Sequence, residues 1–573
     1  MKVEQNLKSS QIRQIENRMG AKSGVQLTPA KNQPQFTGAF DIALRALDTN
    51  PAWGAVAVDL GFMVIPRTLT DFGRGANAGF ETMRREGMGT TNHSAIPVYG
   101  ALAGLAVATG VNKLYFANSG KIKANNIYAD SESLDLIGKL YKAEVEAAKI
   151  NPEINPVKSF LVKYFNSFEA LSPSENSKYV GLEDVKHSAG DTAEEVAQLL
   201  FKEIENAKDN PAKDVLKTVK AKIVSALGGA ENSFRIKVAD GARQHTSRYS
   251  VDTIVDNAYK LAYSFTQENI KNTFLEGAQN IENAFIKSMK HMNIKRSLIG
   301  IGIGSAFGIA AQPFNMYLTK KKTGATGFVG GGEEDTSLKF KISKLAAGLA
   351  FFSGALATIG DPRKLIQNLQ FKGINPTLNQ FKFVYGITIF SRFLSARNNN
   401  ELAETSVKDT LGFASWLILG NFVQKIVAQA LDKDLVKKDG KGLINWITGS
   451  VLKSRDEVLH AALGKEKAFK DGKALNFSEL IKLADPITKV KLRKLTIAQL
   501  INYAYTGLVL GVGIPKLNIY LTGRREAKKA AQKLALQPAQ QQMSGANVSL
   551  TGSANNVVMK QANIEFMNKA GMV

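Results

Sequence analysis

Three long stretches of the chain carry no formal charge: Gly87 to Asn112, Ser297 to Thr319 and Leu495 to Pro515. About 20 mostly apolar residues suffice for a helix to cross a bilayer, so each stretch predicts a membrane-spanning helix. Two shorter ones, Leu345 to Gly360 and Thr410 to Gln424, read either as shallow spans or as buried core helices. Ala52 to Pro66 is apolar apart from Asp59 and fits both readings.

Between Asn118 and Asn293 the pattern changes. Apolar residues recur at helical spacing (Leu134, Leu136, Ile137, Leu140, then Val145) with charged residues between them. Turn signals at Asn151-Pro152, around Ser172 and at Asp209 divide this stretch into helices. Its clearest amphipathic helix is Ala193 to Ala207. Asp432 to Lys491 is likewise polar, lysine-rich and helical in pattern.

The expectation is an all-α chain of two divergent repeats of Gly-rich apolar helices, with a soluble helical insert in the first. In order, it comprises a disordered polar tail (1–35), first-repeat helices (36–117), a charge-neutral insert (118–295) and the end of that repeat with a flexible Gly-rich linker (296–342). Second-repeat helices (343–431), a polar insert (432–494), a last apolar helix with a basic end (495–530) and a flexible tail (531–573) follow.

The repeat rests on short words in a shared order. FTGA at Phe36 to Ala39 answers FSGA at Phe352 to Ala355, and Asn50-Pro51 answers Asn375-Pro376. Arg67 and Arg392 follow at equal distance from those asparagines. Next come RGANAGFET (Arg74 to Thr82) and RNNNELAET (Arg397 to Thr405), each trailed by a basic-acidic pair, Arg85-Glu86 and Lys408-Asp409. NMYLT at Asn315 and NIYLT at Asn518 each close an apolar run before basic residues. A tyrosine at a membrane interface with cations beyond it would produce that last likeness unaided. The spacing from Arg67 to Arg74 exceeds that from Arg392 to Arg397 by two residues, a departure from strict repetition.

Each long run also spaces glycines four apart: Gly100 and Gly104; Gly300, Gly304 and Gly308; Gly507 and Gly511. That spacing lines glycines on one helix face, where a neighbouring backbone can approach closely.

The net charge of +24 first points to nucleic acid. Its distribution redirects it. Lys121 to Lys295 holds equal numbers of basic and acidic residues, so the whole excess lies with the apolar runs. Cations bracketing apolar runs suit anionic lipid headgroups, and no nucleic-acid partner is expected. The expected location is a cell membrane, the bacterial inner membrane, with the cytoplasm as the alternative.

The absence of cysteine removes thiol catalysis and cysteine-ligated metal. The histidines (His93, His187, His245, His291, His460) lack helical metal spacing, so no metal or cofactor is expected. Phosphate-loop, dinucleotide, nucleophile-elbow and zinc-protease signatures are missing.

The chemistry-bearing candidates are therefore the repeated polar clusters: Arg67, Arg74, Asn77, Glu81, Arg85 and Glu86, and Arg392, Arg397, Asn400, Glu404, Lys408 and Asp409. Transporters built from repeats place their sites where the halves meet, and arginine suits carboxylate or phosphate groups. The alternative is structural: Arg74, Glu81 and Arg85 share a helix face and could form an ion-pair ladder or a clamp. The corresponding roles are a transporter or membrane-embedded binding protein, or a non-enzymatic structural or interaction protein, soluble or peripherally bound to a membrane. A third reading, a membrane-edge lipid enzyme, would centre on Glu86 and His93.

Overall fold

The computed structural model describes residues 39–49, 51–73, 75–171, 179–181, 186–187, 190–227, 234–236, 250–276, 282–324, 334–436, 452–463, 469–470, 473–518, 520–525, 527–528 and 531. The polar N-terminal tail, the Gly-rich linker, nearly all of the C-terminal tail and Arg74 lie outside these residues.

The chain is predominantly helical. Among the described residues the insert departs from pure α by two small antiparallel sheets: Phe168–Leu171 pairs with both Tyr179–Gly181 and Phe234–Ile236, and Lys186–His187 pairs with Gly190–Asp191.

Local sequence explains where the insert's helices begin. Asp130 accepts from the Ser133 N–H at the head of Ser131–Ile150, Asn155 caps Pro156–Asn166, and Asp191 caps Thr192–Glu205. Each side chain satisfies an amide that the helix itself cannot. The apolar faces of these helices meet in one core, where the rings of Tyr141 and Phe265 stack at 3.8 Å. The same core takes Phe285, Met289 and Met292 from the first turns of Ala284–Thr323. At 1.5 Å per residue this 40-residue helix runs about 60 Å, long enough to anchor the insert at one end and cross a second layer at the other.

That second layer is a bundle of apolar helices. Four of them are long and apolar enough to cross a membrane: Ala52–Phe72, Ala284–Lys322, Leu338–Ala357 and Pro486–Arg525. The bent pair Asn399–Leu417 and Phe422–Leu431 would make a fifth. These helices turn large apolar residues outward: Leu60, Leu69, Phe307, Leu349 and Leu508 are all exposed. Charged residues lie inside, as the next subsection describes. Water would favour the reverse arrangement.

The first uncharged run does not form one span. Ala95 and Ala108 divide it among Ala76–Ser94, Ile96–Val107 and Thr109–Tyr115. Pro97, near the start of the middle helix, has no N–H to continue the ladder. That middle helix, 12 residues long, covers only about 18 Å, short of a hydrocarbon core of about 30 Å. It crosses Ala284–Thr323 where Gly100 meets Gly300: a Cβ added to Gly300 would sit 3.1 Å from the Gly100 backbone. Added to Gly308 it would meet Thr388 Oγ1 at 2.4 Å, and added to Gly511 it would meet Pro66 Cβ at 2.5 Å.

Three helices of the bundle contain π-helical segments, Asp59–Val64, Ser415–Leu419 and Gly507–Gly513. Such segments re-aim side chains and recur at functional sites. A third, smaller core (Leu459, Leu480, Ile481, Leu495) follows the bent pair and is tied to the N-terminal helix Ala39–Thr49 by Arg45 and Asp456 at 2.8 Å.

Candidate functional site

Both copies of the polar motif open a helix at the same register. Gly75, at φ +135°, precedes Ala76–Ser94, and Asn398 caps Asn399–Ala414 by accepting from two backbone amides. Glycine suits the first position because few other residues adopt that φ. Each helix then carries its basic-acidic pair to the centre of the bundle.

The centre of the site is Glu86. Lys408 Nζ donates to its Oε1 at 2.9 Å, Arg67 Nη1 stands 3.5 Å from the same oxygen, and Arg392 Nη2 stands 3.6 Å from Oε2. Arg392 Nη1 also donates to Asp409 Oδ1 at 3.1 Å, and Arg67 Nε donates to the Leu510 carbonyl at 3.1 Å. Glu86, Arg67 and Asp409 are buried. Burial works against the Glu86 charge, but Lys408, Arg392, Arg67 and Arg85 outweigh it and hold the carboxyl well below the usual carboxylate range. Glu86 is therefore an anion at neutral pH.

The contacts are reciprocal. A Cβ on Gly89, three residues after Glu86, would come 3.9 Å from Arg392 Nη2. One on Gly412, three residues after Asp409, would come 3.8 Å from Arg67 Nη2. Likewise Arg67 donates to the carbonyl of Leu510 on the last apolar helix, while Ser391 donates to that of Ile309 on Ala284–Thr323, at 2.7 Å.

A small cavity of about 60 Å³ opens beside this node and is lined by Arg85, Gln312, Arg392, Glu404, Lys408 and Asp409 among others. That is room for a few water molecules or a small ion. Among the described residues no group of carboxylates and imidazoles could hold a metal ion.

Other motif residues sit elsewhere. Asn77 is exposed, and Asn400 is half-buried with its backbone N–H given to Asn398. Both lie in the first turn of their helices, too early to reach the centre. Arg397 binds Glu401 four residues on, with Nε donating to both carboxylate oxygens at 3.1 and 3.2 Å. Glu81 accepts from Thr319 Oγ1 at 3.1 Å, and Arg84 donates to Asn315 Oδ1 at 3.0 Å and Thr319 Oγ1 at 2.9 Å. Asn315 and Thr319 are thus held inside, while Tyr317 and Tyr520 of the two NxYLT words are exposed.

His93 is not at an edge. It is fully buried among Phe381, Tyr385 and Trp416, and neither ring nitrogen makes a hydrogen bond. Burial, with Arg392 nearby, pushes its pKa down to about 3, so it is neutral and positioned to exchange no proton with a substrate. Glu86 is held by three cations and makes no hydrogen bond with His93.

Asp59, Thr90 and Tyr385, none of them among the candidate residues, also surround the node. Asp59 alone left a signal, as the one charge in an otherwise apolar run. No protein-family profile, no curated protein and no solved structure matches this chain.

Proposed function

We propose that this protein is a membrane-embedded transport or solute-binding protein of two related halves, with the Glu86 node as its site. The observation that carries this reading is the anion Glu86, shared by Arg67, Arg392 and Lys408, inside helices whose leucines face outward. Ionisable groups are rare inside membrane bundles and mark pathways for charged solutes. Two related halves are supported by the reciprocal approaches of Gly89 to Arg392 and of Gly412 to Arg67. The membrane would be the bacterial inner membrane. Anionic headgroups would meet Lys320 to Lys322 and Arg524 and Arg525, just beyond the outward tyrosines.

The test is a carbonate wash of membranes, followed by reconstitution of the protein into liposomes on a solid-supported membrane. Current is recorded on jumps of chloride, phosphate, sulfate and amino-acid concentration. The protein stays with the membrane, and at least one solute gives a current that Glu86→Gln abolishes. Release into the soluble fraction, or identical responses from wild type and variant, removes the proposal.

One observation favours a second reading, a membrane scaffold without transport. The cavity is small, and the node's charges already satisfy one another. On that reading Glu86→Gln lowers stability and leaves every solute response at the level of empty liposomes.

A further inference from the structure

Asp59 is a carboxylic acid inside a helix long and apolar enough to cross a membrane, in the π segment Asp59–Val64, and its side chain is buried. It stands outside the ion pairs of the node. Among the described residues no lysine or arginine nitrogen lies within 4 Å of it, whereas Glu86 has three and Glu401 and Asp409 have at least one. A carboxylate withdrawn from water without a cation is strongly disfavoured as the anion, a cost that binding a proton removes.

The surroundings accept that proton without losing a hydrogen bond. Asp59 Oδ2 lies 2.6 Å from Thr90 Oγ1, and Asp59 Oδ1 has no partner. Thr90 Oγ1 also lies 3.2 Å from the Glu86 backbone carbonyl. A hydroxyl has one hydrogen and can give it to only one of these oxygens. With Asp59 ionised, Thr90 donates to Oδ2. With a proton on Oδ2, the acid donates to Thr90, and the Thr90 hydrogen turns to the Glu86 carbonyl. The two states differ by one proton and by the direction of this two-bond relay.

We propose that Asp59 is a proton-binding site, with Thr90 as the relay that reports its charge to the helix bearing Glu86. The groups facing it are Glu86 from Ala76–Ser94, Arg67 from its own helix, and Arg392 and Tyr385 from Leu378–Leu394. Tyr503, from Pro486–Thr506, stacks on Phe62, three residues after Asp59. Protonation withdraws one negative charge from beside Glu86, Arg67 and Arg392, so occupancy of the site alters the field in which the node holds an ion. This goes beyond the solute reading and does not depend on any solute being found.

The test is infrared difference spectroscopy of the full chain in lipid nanodiscs, with the pH stepped from acid to alkaline. The expected spectrum contains the C=O stretch of a protonated carboxylic acid that disappears on the alkaline side. Asp59→Asn loses that band, and Thr90→Val, lacking the relay hydroxyl, shifts it while Thr90→Ser leaves it in place. A band that persists in Asp59→Asn, or that never appears in the wild type, overturns the proposal. If Asp59→Asn does not fold, Thr90→Val decides, and an unshifted band there is equally contradictory. The readout is the acid itself, so a protein that moves no solute can still pass.

Discussion

Glu86 and Lys408 are 322 positions apart in the chain and 2.9 Å apart in space. Each belongs to the basic-acidic pair that trails one copy of the polar motif, and their contact joins the helices Ala76–Ser94 and Asn399–Ala414 across the centre of the bundle. Removing one partner of a buried, hydrogen-bonded ion pair is costly because the other charge stays behind unpaired. The node is thus at once a mechanical junction and a place where an added ion would be felt.

Glycines at the helix crossings distinguish close packing from incidental composition. Gly100→Ala would place a methyl 2.4 Å from the Phe371 ring, and overpacking of that kind costs about 1–3 kcal/mol. Gly302→Ala meets nothing within 4 Å and gains helix propensity of up to about 1 kcal/mol. Thermal unfolding in detergent should therefore fall for the first and hold or rise for the second. Equal behaviour would mean that the crossing at Gly100 and Gly300 is not formed.

Acid sensitivity should trace in part to His93. Its folded pKa, about 3, lies below the unfolded value of about 6.5. Between those values the unfolded chain binds the extra proton. The stability from a neutral His93 is therefore complete above pH about 6.5 and is lost as the pH falls toward 3, on the order of a few kcal/mol. His93→Phe keeps an aromatic ring against Tyr385 and Trp416 and removes the titration. Unfolding temperatures measured from pH 7.5 to 4 should decline less steeply for the variant. Parallel declines would place His93 in solvent.

The helix Pro51–Val58 can also be joined covalently to the loop before Leu378. Trp53 Nε1 donates to Asn375 Oδ1 at 2.9 Å, and both residues are exposed. Because the chain has no cysteine, Trp53→Cys with Asn375→Cys introduces its only thiol pair. A short bismaleimide should link the two within one chain, seen as fragments that stay together after proteolysis of the insert. Both thiols labelled singly yet never linked would refute the docking of Pro51–Val58 on the loop before Leu378.

Where local pattern decides structure, the sequence was informative. The uncharged stretches from Ser297 and Leu495 lie within helices long enough to span, and Leu134, Ile137 and Val145 face the insert core their periodicity implied. Asp191 heads the amphipathic helix because a cap is a local signal. The Pro97 break is equally local, a residue without an N–H inside the first uncharged run.

The node was legible only in part. The motif drew attention to Glu86, Lys408 and Asp409, yet its own asparagines, Asn77 and Asn400, take no part in the ion pairs. Which polar residues turn inward depends on how far along the helix they fall. Arg67 meets Glu86 next to residues more than 300 positions away, and His93 owes its burial to Phe381, Tyr385 and Trp416, so no periodicity along one segment encodes either.

The central claim is that the two motif helices meet through Glu86 and Lys408. A double-mutant cycle with Glu86→Gln and Lys408→Met, read as apparent unfolding temperature of carbonate-washed, detergent-extracted protein, tests it most directly. Groups in contact couple by roughly 0.5–3 kcal/mol, whereas distant groups add. The account predicts that Lys408→Met is costly in the wild type and much less so once Glu86 is Gln. Strictly additive effects would contradict it.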